Sequence, residues 1–270
     1  MREIAYAKVN LALHVRAREP DGYHRIETLF AFCEHGDALE VAEADEIILS
    51  VDGPFAEAVG AGEDNLVLRA ARALAARHGV TRGAALHLDK SLPVAAGIGG
   101  GSADAAAALR LLARFWWLDA DEETLCGIAA GLGADVPACV VSRTVRGDNR
   151  GDVLTPSDEN WSGTPILLVN PRVPVSTPAV FARWDGLDRG PLGTAHAGRN
   201  DLESPARSLA PEVGDLLSLL GAQPGTTLVR MSGSGATCFA CFEDEPARDA
   251  AAAALEAAQP DWWTLATRLR

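Results

Sequence analysis

Residues 92–112 read LPVAAGIGGGSADAAAALRLL, with glycine at 97, 99, 100 and 101 and serine at 102, just before an alanine-rich run that predicts a helix. Glycine weakens helices and strands, so such a cluster belongs where positive φ angles or close backbone approach are required. Two readings are open. The cluster can be a turn that lets a helix pack closely, or a cradle in which successive N–H groups and a helix N-terminus converge on phosphate oxygens. A Walker A loop needs a lysine before Ser102 and there is none. A dinucleotide fingerprint needs a glycine where Ser102 stands and an acid at the end of the next strand, whereas Asp119 and Asp121 follow the helix directly.

The chain of 270 residues is long enough for one large or two moderate domains, and 48% hydrophobic residues provide a core. Its formal charge of −13 repels nucleic acids and anionic membranes, and no Lys/Arg run offers the patch that either partner would need. An anionic ligand must then be held by a few placed cations and backbone dipoles. The opening MREIAYAKVNLALHV lacks the pattern of a secretory leader, and no apolar run approaches about 20 residues, so a cytoplasmic protein with no membrane partner is expected. Cys33, Cys126, Cys139, Cys238 and Cys241 stand mostly among apolar neighbours and read as reduced, buried thiols. In CFAC the two cysteines fall on opposite faces of a strand-like run with no further ligands nearby, which argues against a metal site.

Alternation over residues 9–15 and the run 26–32 predict strands around the turn EPDG, and residues 47–51 predict another. A helix is expected from about Asn65 to the C-cap Gly79, and a strand in ALHLDKSLPV leads into the glycine cluster. Ser102 suits the N-cap of the following helix and Asp104 its positive end. DEETLCGIAAG is a further helix, and the chain then turns through LGADVPACVV. Residues 149–164, rich in Gly, Pro, Asp and Ser, mark a domain boundary. Beyond it come the strand PILLVNP, an irregular VPVSTPAVFARW, a loop-rich segment and the helix EVGDLLSLLG. Two strands around GSG, the helix EPARDAAAAALEAAQ and a last strand WWTLATRLR complete an α+β pattern.

The remaining phrase, Pro-x-x-x-Gly-x-Gly-Gly-Gly-Ser-Ala on entry to a helix, resembles the phosphate loop of the GHMP small-molecule kinases. AKVNLALHV at 7–15 resembles that family's first motif and MSGSGATCFACF at 231–242 its third, glycine-rich one. KVNLALHV followed by DGYHRIETLF, with GADVPACV in the middle, is most similar to members acting on a cytidine-diphosphate-linked methylerythritol in the non-mevalonate isoprenoid route. The resemblance covers essentially the whole chain. It implies a two-domain GHMP kinase fold with the active site in the interdomain cleft, the N-terminal domain at 1–153 and the C-terminal domain at 154–270. It also implies ATP with Mg2+, a small-molecule cytidine diphosphate derivative as substrate, and a monomer or homodimer.

What the resemblance implies can be placed residue by residue. Pro93, Val94, Ala95, Ala96, Gly97, Ile98, Gly99, Gly100, Gly101, Ser102 and Ala103 would hold the ATP phosphates, mainly through backbone donors. Asn65 would meet adenine or ribose, although N-capping explains it nearly as well. Asp135 is the candidate catalytic carboxylate for the 2-hydroxyl of the acceptor; an aspartate amid Ala134, Val136 and Pro137 either caps a turn or sits in a site. Lys8 would stand beside it, and Asn10, on the same strand face, would bond substrate or orient Lys8. Tyr23 and His24 resemble nucleobase contacts, with Phe181 as the opposing wall or simply core, and Thr177 would meet sugar or diphosphate. The metal ligands are unknown.

A straight hairpin about EPDG would separate Lys8 and Tyr23 by about ten positions, roughly 33 Å. REPDGYH must then fold back over the site, or one of these roles fails. In RGDNRGDVL, Asn149 and Asp152 depart from the family's usual Gly and Glu, and the tryptophans at 116, 117, 161 and 184 read as core or rim. Two other readings are a GHMP kinase of the homoserine or mevalonate type, whose substrates carry no base for DGYH and Phe181, and a catalytically silent nucleotide-binding protein, against which Lys8 and Asp135 speak.

Overall fold

A computed structural model describes all 270 residues. The chain resolves into two compact units, interleaved in sequence: residues 1–8, 35–94 and 99–142 form the first, and residues 9–34, 95–98 and 143–270 the second. A single division at 153/154 does not describe these units, because two long strands near the start, β1 (Arg2–Arg18) and β2 (His24–Ala42), each contribute residues to both.

In the first unit, β3 (Ile47–Asp52), the one-turn α1 (Ala56–Val59) and α2 (Leu66–His78) lead to β4 (Ala84–Asp89). β4 runs parallel to β3 and antiparallel to the Ala38–Ala42 end of β2. A parallel pair needs a crossover, which α1 and α2 supply. Gly79 closes α2 at φ 65°, the left-handed C-cap the sequence predicts. α3 (Gly100–Phe115) packs on α2, and its central residues Ala105 to Leu109 are all fully buried, as in a helix covered on every side. α4 (Glu122–Ala130) begins at the N-cap Asp121, and α5 (Val136–Val141) forms a short helix where the sequence suggests only a turn. Pro137 favours that first turn, since its missing N–H would be unpaired there anyway.

The second unit holds the hairpin of β5 (Val145–Asp148) and β6 (Val153–Pro156), with β5 paired to Thr28–Phe30 of β2. Asn149 and Asp152 close this hairpin: Asn149 takes φ 63° and donates from Nδ2 to Asp152 Oδ1 at 3.0 Å. Their departure from the family's pattern thus has a local turn to serve. β7 (Pro165–Asn170) precedes α6 (Thr177–Ala182), α7 (Glu203–Leu209) and α8 (Glu212–Gly221). β8 (Thr226–Met231), β9 (Cys238–Phe242), α9 (Glu245–Ala258) and β10 (Trp263–Arg268) complete the chain. The four strands form an antiparallel sheet in the order β10-β7-β9-β8. Leu167, Val169, Cys238 and Ala240 of this sheet meet Val213, Leu216 and Leu220 of α8 and Ala251 and Leu255 of α9 in one core. The segment 173–184 is not irregular throughout, because Ser176 caps α6 by accepting from the Ala179 N–H.

Candidate active site

Lys8 lies on β1 with 3% of its side chain exposed, and its Nζ stands 3.1 Å from Asp135 Oδ2. Burying an ammonium is tolerable only when it is paired, and Asp135 supplies the partner. Asp135 occupies the N-cap position of α5, yet its side chain makes no capping bond. The cap reading therefore fails at the residue where it competed with a site. With 35% of its side chain exposed, the carboxylate can be reached from solvent while it holds Lys8.

The glycine-rich turn lies on the same lysine. Gly99 has φ 63°, and a Cβ built there would come within 2.9 Å of Lys8 Cε. Gly99, not Ser102, is the N-cap of α3, and it offers no side chain to satisfy the helix end. Ser102 instead stands in the first turn. The first helical bond is from the Ala103 N–H to the Gly99 carbonyl at 2.8 Å, so the N–H groups of Gly100, Gly101 and Ser102 are left for a ligand. Val94, Ala95 and Gly101 are exposed, and Pro93, Ile98 and Ala103 are buried. Ala95 takes φ 52° without being glycine.

Within the second unit, residues 95–98 are bound to the third glycine motif. Ser232 Oγ donates to the Gly97 carbonyl at 2.8 Å and accepts the Asn10 N–H at 3.1 Å, and the Thr237 N–H donates to the Ala96 carbonyl at 3.2 Å. A Cβ on Gly97, which has φ 79°, would collide with the Ser232 carbonyl. Asn10 is 2% exposed, and its amide donates to Thr28 Oγ1 at 2.8 Å.

The His24 and Phe181 rings pack at a 36° tilt with centroids 4.9 Å apart, and the Trp184 ring meets His24 edge-on at 5.7 Å. Trp184 is the member of this aromatic group that sequence reasoning missed; its place one helical turn after Phe181 was the available signal. Burial, aided by the nearby Arg18 charge, holds the His24 imidazole below its usual value, so the ring is neutral. Tyr23 is 58% exposed in the turn, its ring under the Arg150 guanidinium at 3.9 Å. β1 runs to Arg18 and β2 starts at His24, and the Glu19 N–H donates to the Tyr23 carbonyl at 2.7 Å, so residues 19–23 form the turn that joins the two strands. Thr177, exposed at the start of α6, shares a 2.7 Å hydrogen bond with Ser234. Asn65 caps α2, accepting the Val67 N–H at 2.8 Å and donating to the Gly60 carbonyl at 2.8 Å, so both polar ends of its side chain are engaged.

A second group lay hidden in the sequence. Asp104 does not sit at the exposed positive end of the helix but is 2% exposed, and with Asp37 it holds Lys90. The signals were a lysine two residues before an apolar LPV and an aspartate inside an alanine run. No group of three or more His, Cys, Asp or Glu side chains is placed to hold a metal ion, and the CFAC cysteines are both buried.

The chain matches the model of the GHMP kinases N terminal domain over residues 65–143 and that of the GHMP kinases C terminal over residues 188–261. It is 58% identical to a 4-diphosphocytidyl-2-C-methyl-D-erythritol kinase of Rhizorhabdus wittichii, over 99% of this chain and 94% of that one. It is 52% identical to a kinase of the same name from Sphingopyxis alaskensis, over 100% and 99%. A crystal structure of a 4-(cytidine 5'-diphospho)-2C-methyl-D-erythritol kinase superposes with a TM-score of 0.85 at 34% identity, covering 100% of this chain and 99% of the other. A homoserine kinase from Cytophaga hutchinsonii shares the fold at a TM-score of 0.72 and 15% identity. With a paired lysine and aspartate beside a lysine-free glycine loop, and with relatives matching from end to end, the chain belongs to the GHMP family of small-molecule kinases.

Proposed function

We propose that the protein transfers the γ-phosphoryl group of ATP to the 2-hydroxyl of 4-diphosphocytidyl-2-C-methyl-D-erythritol. The observation that carries this reading is the Lys8–Asp135 pair in a chain 58% identical, end to end, to a kinase of that name. Phosphoryl transfer asks a protein mainly to align two oxygens about phosphorus and to neutralise charge. Asp135 accepts the proton of the acceptor hydroxyl as its oxygen bonds to the γ-phosphorus and the bond to the ADP oxygen breaks. Lys8 holds the carboxylate in place and offsets the negative charge growing on the transferred group. The N–H groups of Gly100, Gly101 and Ser102 bind phosphate oxygens, and the dipole of α3 adds to them. Mg2+ commonly keeps its waters and sits on substrate phosphates, so the nucleotide carries it, and no residue of this chain is assigned to it.

His24, Phe181 and Trp184 make the wall for the cytosine ring, and Tyr23, exposed in the adjoining turn, is able to close on a bound base. A substrate of the homoserine or mevalonate type has no ring to place there. An ATP-dependent reaction and buried reduced thiols suit the cytoplasm. A coupled ADP-release assay with the cytidine substrate tests the reading: the wild type turns over, and Asp135→Asn loses roughly 100- to 10,000-fold in kcat. No turnover of that substrate by the wild type would sink the assignment, and an unimpaired Asp135→Asn would remove the carboxylate from the chemistry.

A further inference from the structure

Two carboxylates and one ammonium are buried directly behind the phosphate turn. Lys90, 1% exposed, donates to Asp104 Oδ2 at 2.7 Å and to Asp37 Oδ2. Asp37 Oδ1 accepts the backbone N–H groups of Ser91 at 2.6 Å and Leu92 at 2.8 Å, which ties the start of the loop to β2. A Cβ built on Gly100 would lie 3.1 Å from Lys90 Nζ, so the first residue of α3 rests on the ammonium. The beginning of the loop and the beginning of the helix are thus pinned to the same three side chains.

The charges do not cancel. Two carboxylates against one ammonium leave one negative charge in excess where no water reaches. Asp104 Oδ1 is buried and has no hydrogen-bond partner, a costly place for an ionised oxygen. The other groups around Asp104 do not compensate. α5 presents the Cys139 thiol, which Asp104 helps to keep protonated, and the buried residues of α2 are apolar (Val67, Leu68, Ala70, Ala71, Leu74, Ala75). Lys8, the next cation along the loop, is taken by Asp135. Burial, opposed by Lys90 and helped by Asp37, raises the Asp104 carboxyl to about 7.

We infer that the Lys90–Asp37–Asp104 cluster positions the nucleotide phosphates, and that Asp104 carries a proton while an anion is held at the start of α3 and weakens that hold when it ionises. The inference rests on the nucleotide-binding reading above and makes Asp104 a positioning residue rather than a catalytic one. By linkage, phosphate binding draws a proton onto Asp104, and a rise of pH through neutrality loosens the nucleotide.

Calorimetric ADP binding to the full-length protein between pH 6 and 8.5, for the wild type and Asp104→Asn, tests it. The phosphates of ADP titrate in both proteins, so the difference between the two belongs to Asp104. The wild type should lose roughly five-fold more affinity than the variant across neutrality and should take up a proton that the variant does not. KM for ATP should follow the same split with kcat little moved. Equal pH profiles and equal proton uptake would overturn the inference. If Asp104→Asn does not fold, the infrared band of a buried protonated carboxyl in the wild type serves instead: growth on adding ADP near pH 7.5 supports the inference, and an unchanged band overturns it. A wild type that binds ADP with this proton uptake but ignores the cytidine substrate would overturn the substrate assignment alone.

Discussion

Gly97 and Gly99 in the loop and Gly101 in the first turn of α3 differ in what a methyl group would meet. At Gly97 a Cβ would strike the Ser232 backbone carbonyl and lie 2.9 Å from the Gly235 carbonyl, at φ 79°. At Gly99, φ 63°, it would press on the flexible stem of Lys8, and at Gly101 it would find only Leu66 Cδ1 at 3.6 Å. Gly97→Ala should therefore cost about 3 kcal/mol, Gly99→Ala about 1–2 kcal/mol with kcat lowered through Lys8, and Gly101→Ala should be neutral or gain up to about 1 kcal/mol. Urea unfolding with ATP kinetics checks this order, and a Gly97→Ala variant as stable as Gly101→Ala would contradict it. His24 sets a pH limit at the same scale. Its folded value lies below the ordinary 6.5 because of burial and then Arg18, so the unfolded chain binds the proton first. The neutral ring's contribution to stability is complete above the ordinary value and is lost as pH falls below it and through the folded value. KM for the cytidine substrate should rise in that same acid window, as initial-rate kinetics from pH 7.5 down to 5.5 would show.

At the scale of elements, α6 carries Phe181 into the aromatic group, and Ser176 secures its start with an N-cap bond. Ser176→Ala should lose about 1 kcal/mol and raise KM for the cytidine substrate while leaving KM for ATP unchanged. Equal changes in the two KM values would mean that α6 does not specifically support the base wall. This helix was illegible in VPVSTPAVFARW because two prolines and a six-residue length leave no apolar period to count. α2, β3, β4 and α9 were legible because each combines a clear period with a cap or turn residue at its end. Composition marked the glycine cluster as a special turn and left the cradle reading to the family resemblance, and its N-cap was misplaced, since Ser102 looks like a cap and only the left-handed φ of Gly99 reveals the true one. Lys8 and Asp135 lie 127 positions apart, and nothing periodic in the sequence joins them; the family resemblance did so, and the 3.1 Å pair gives that link its geometry. Lys90, Asp37 and Asp104 stayed hidden because a buried charge cluster has no signature beyond charges in apolar company.

At the scale of the whole molecule, the thiols report on both units. None of the five cysteines is in a disulfide; Cys126 is half-buried and the other four are buried. Burial pushes the Cys139 thiol up to about 12, with Asp135 adding to it, and the Cys241 thiol also up to about 12. Burial likewise raises Cys33 and Cys238 beyond the ordinary thiol range. Thiolates do the reacting, so these four should be inert to iodoacetamide at pH 8 while the fold persists. Cys139 belongs to the first unit and Cys33, Cys238 and Cys241 to the second. β1 and β2 contribute residues to both units, so losing either unit removes strand pairing along a segment that continues into the other. Mass spectrometry after brief labelling should show a single adduct at Cys126 in the native protein. With increasing urea, Cys139 and the three second-unit cysteines should become reactive in one shared transition. Reactivity of Cys139 at a clearly lower urea concentration than Cys238 would show instead that the unit holding Lys8 and Asp135 opens on its own.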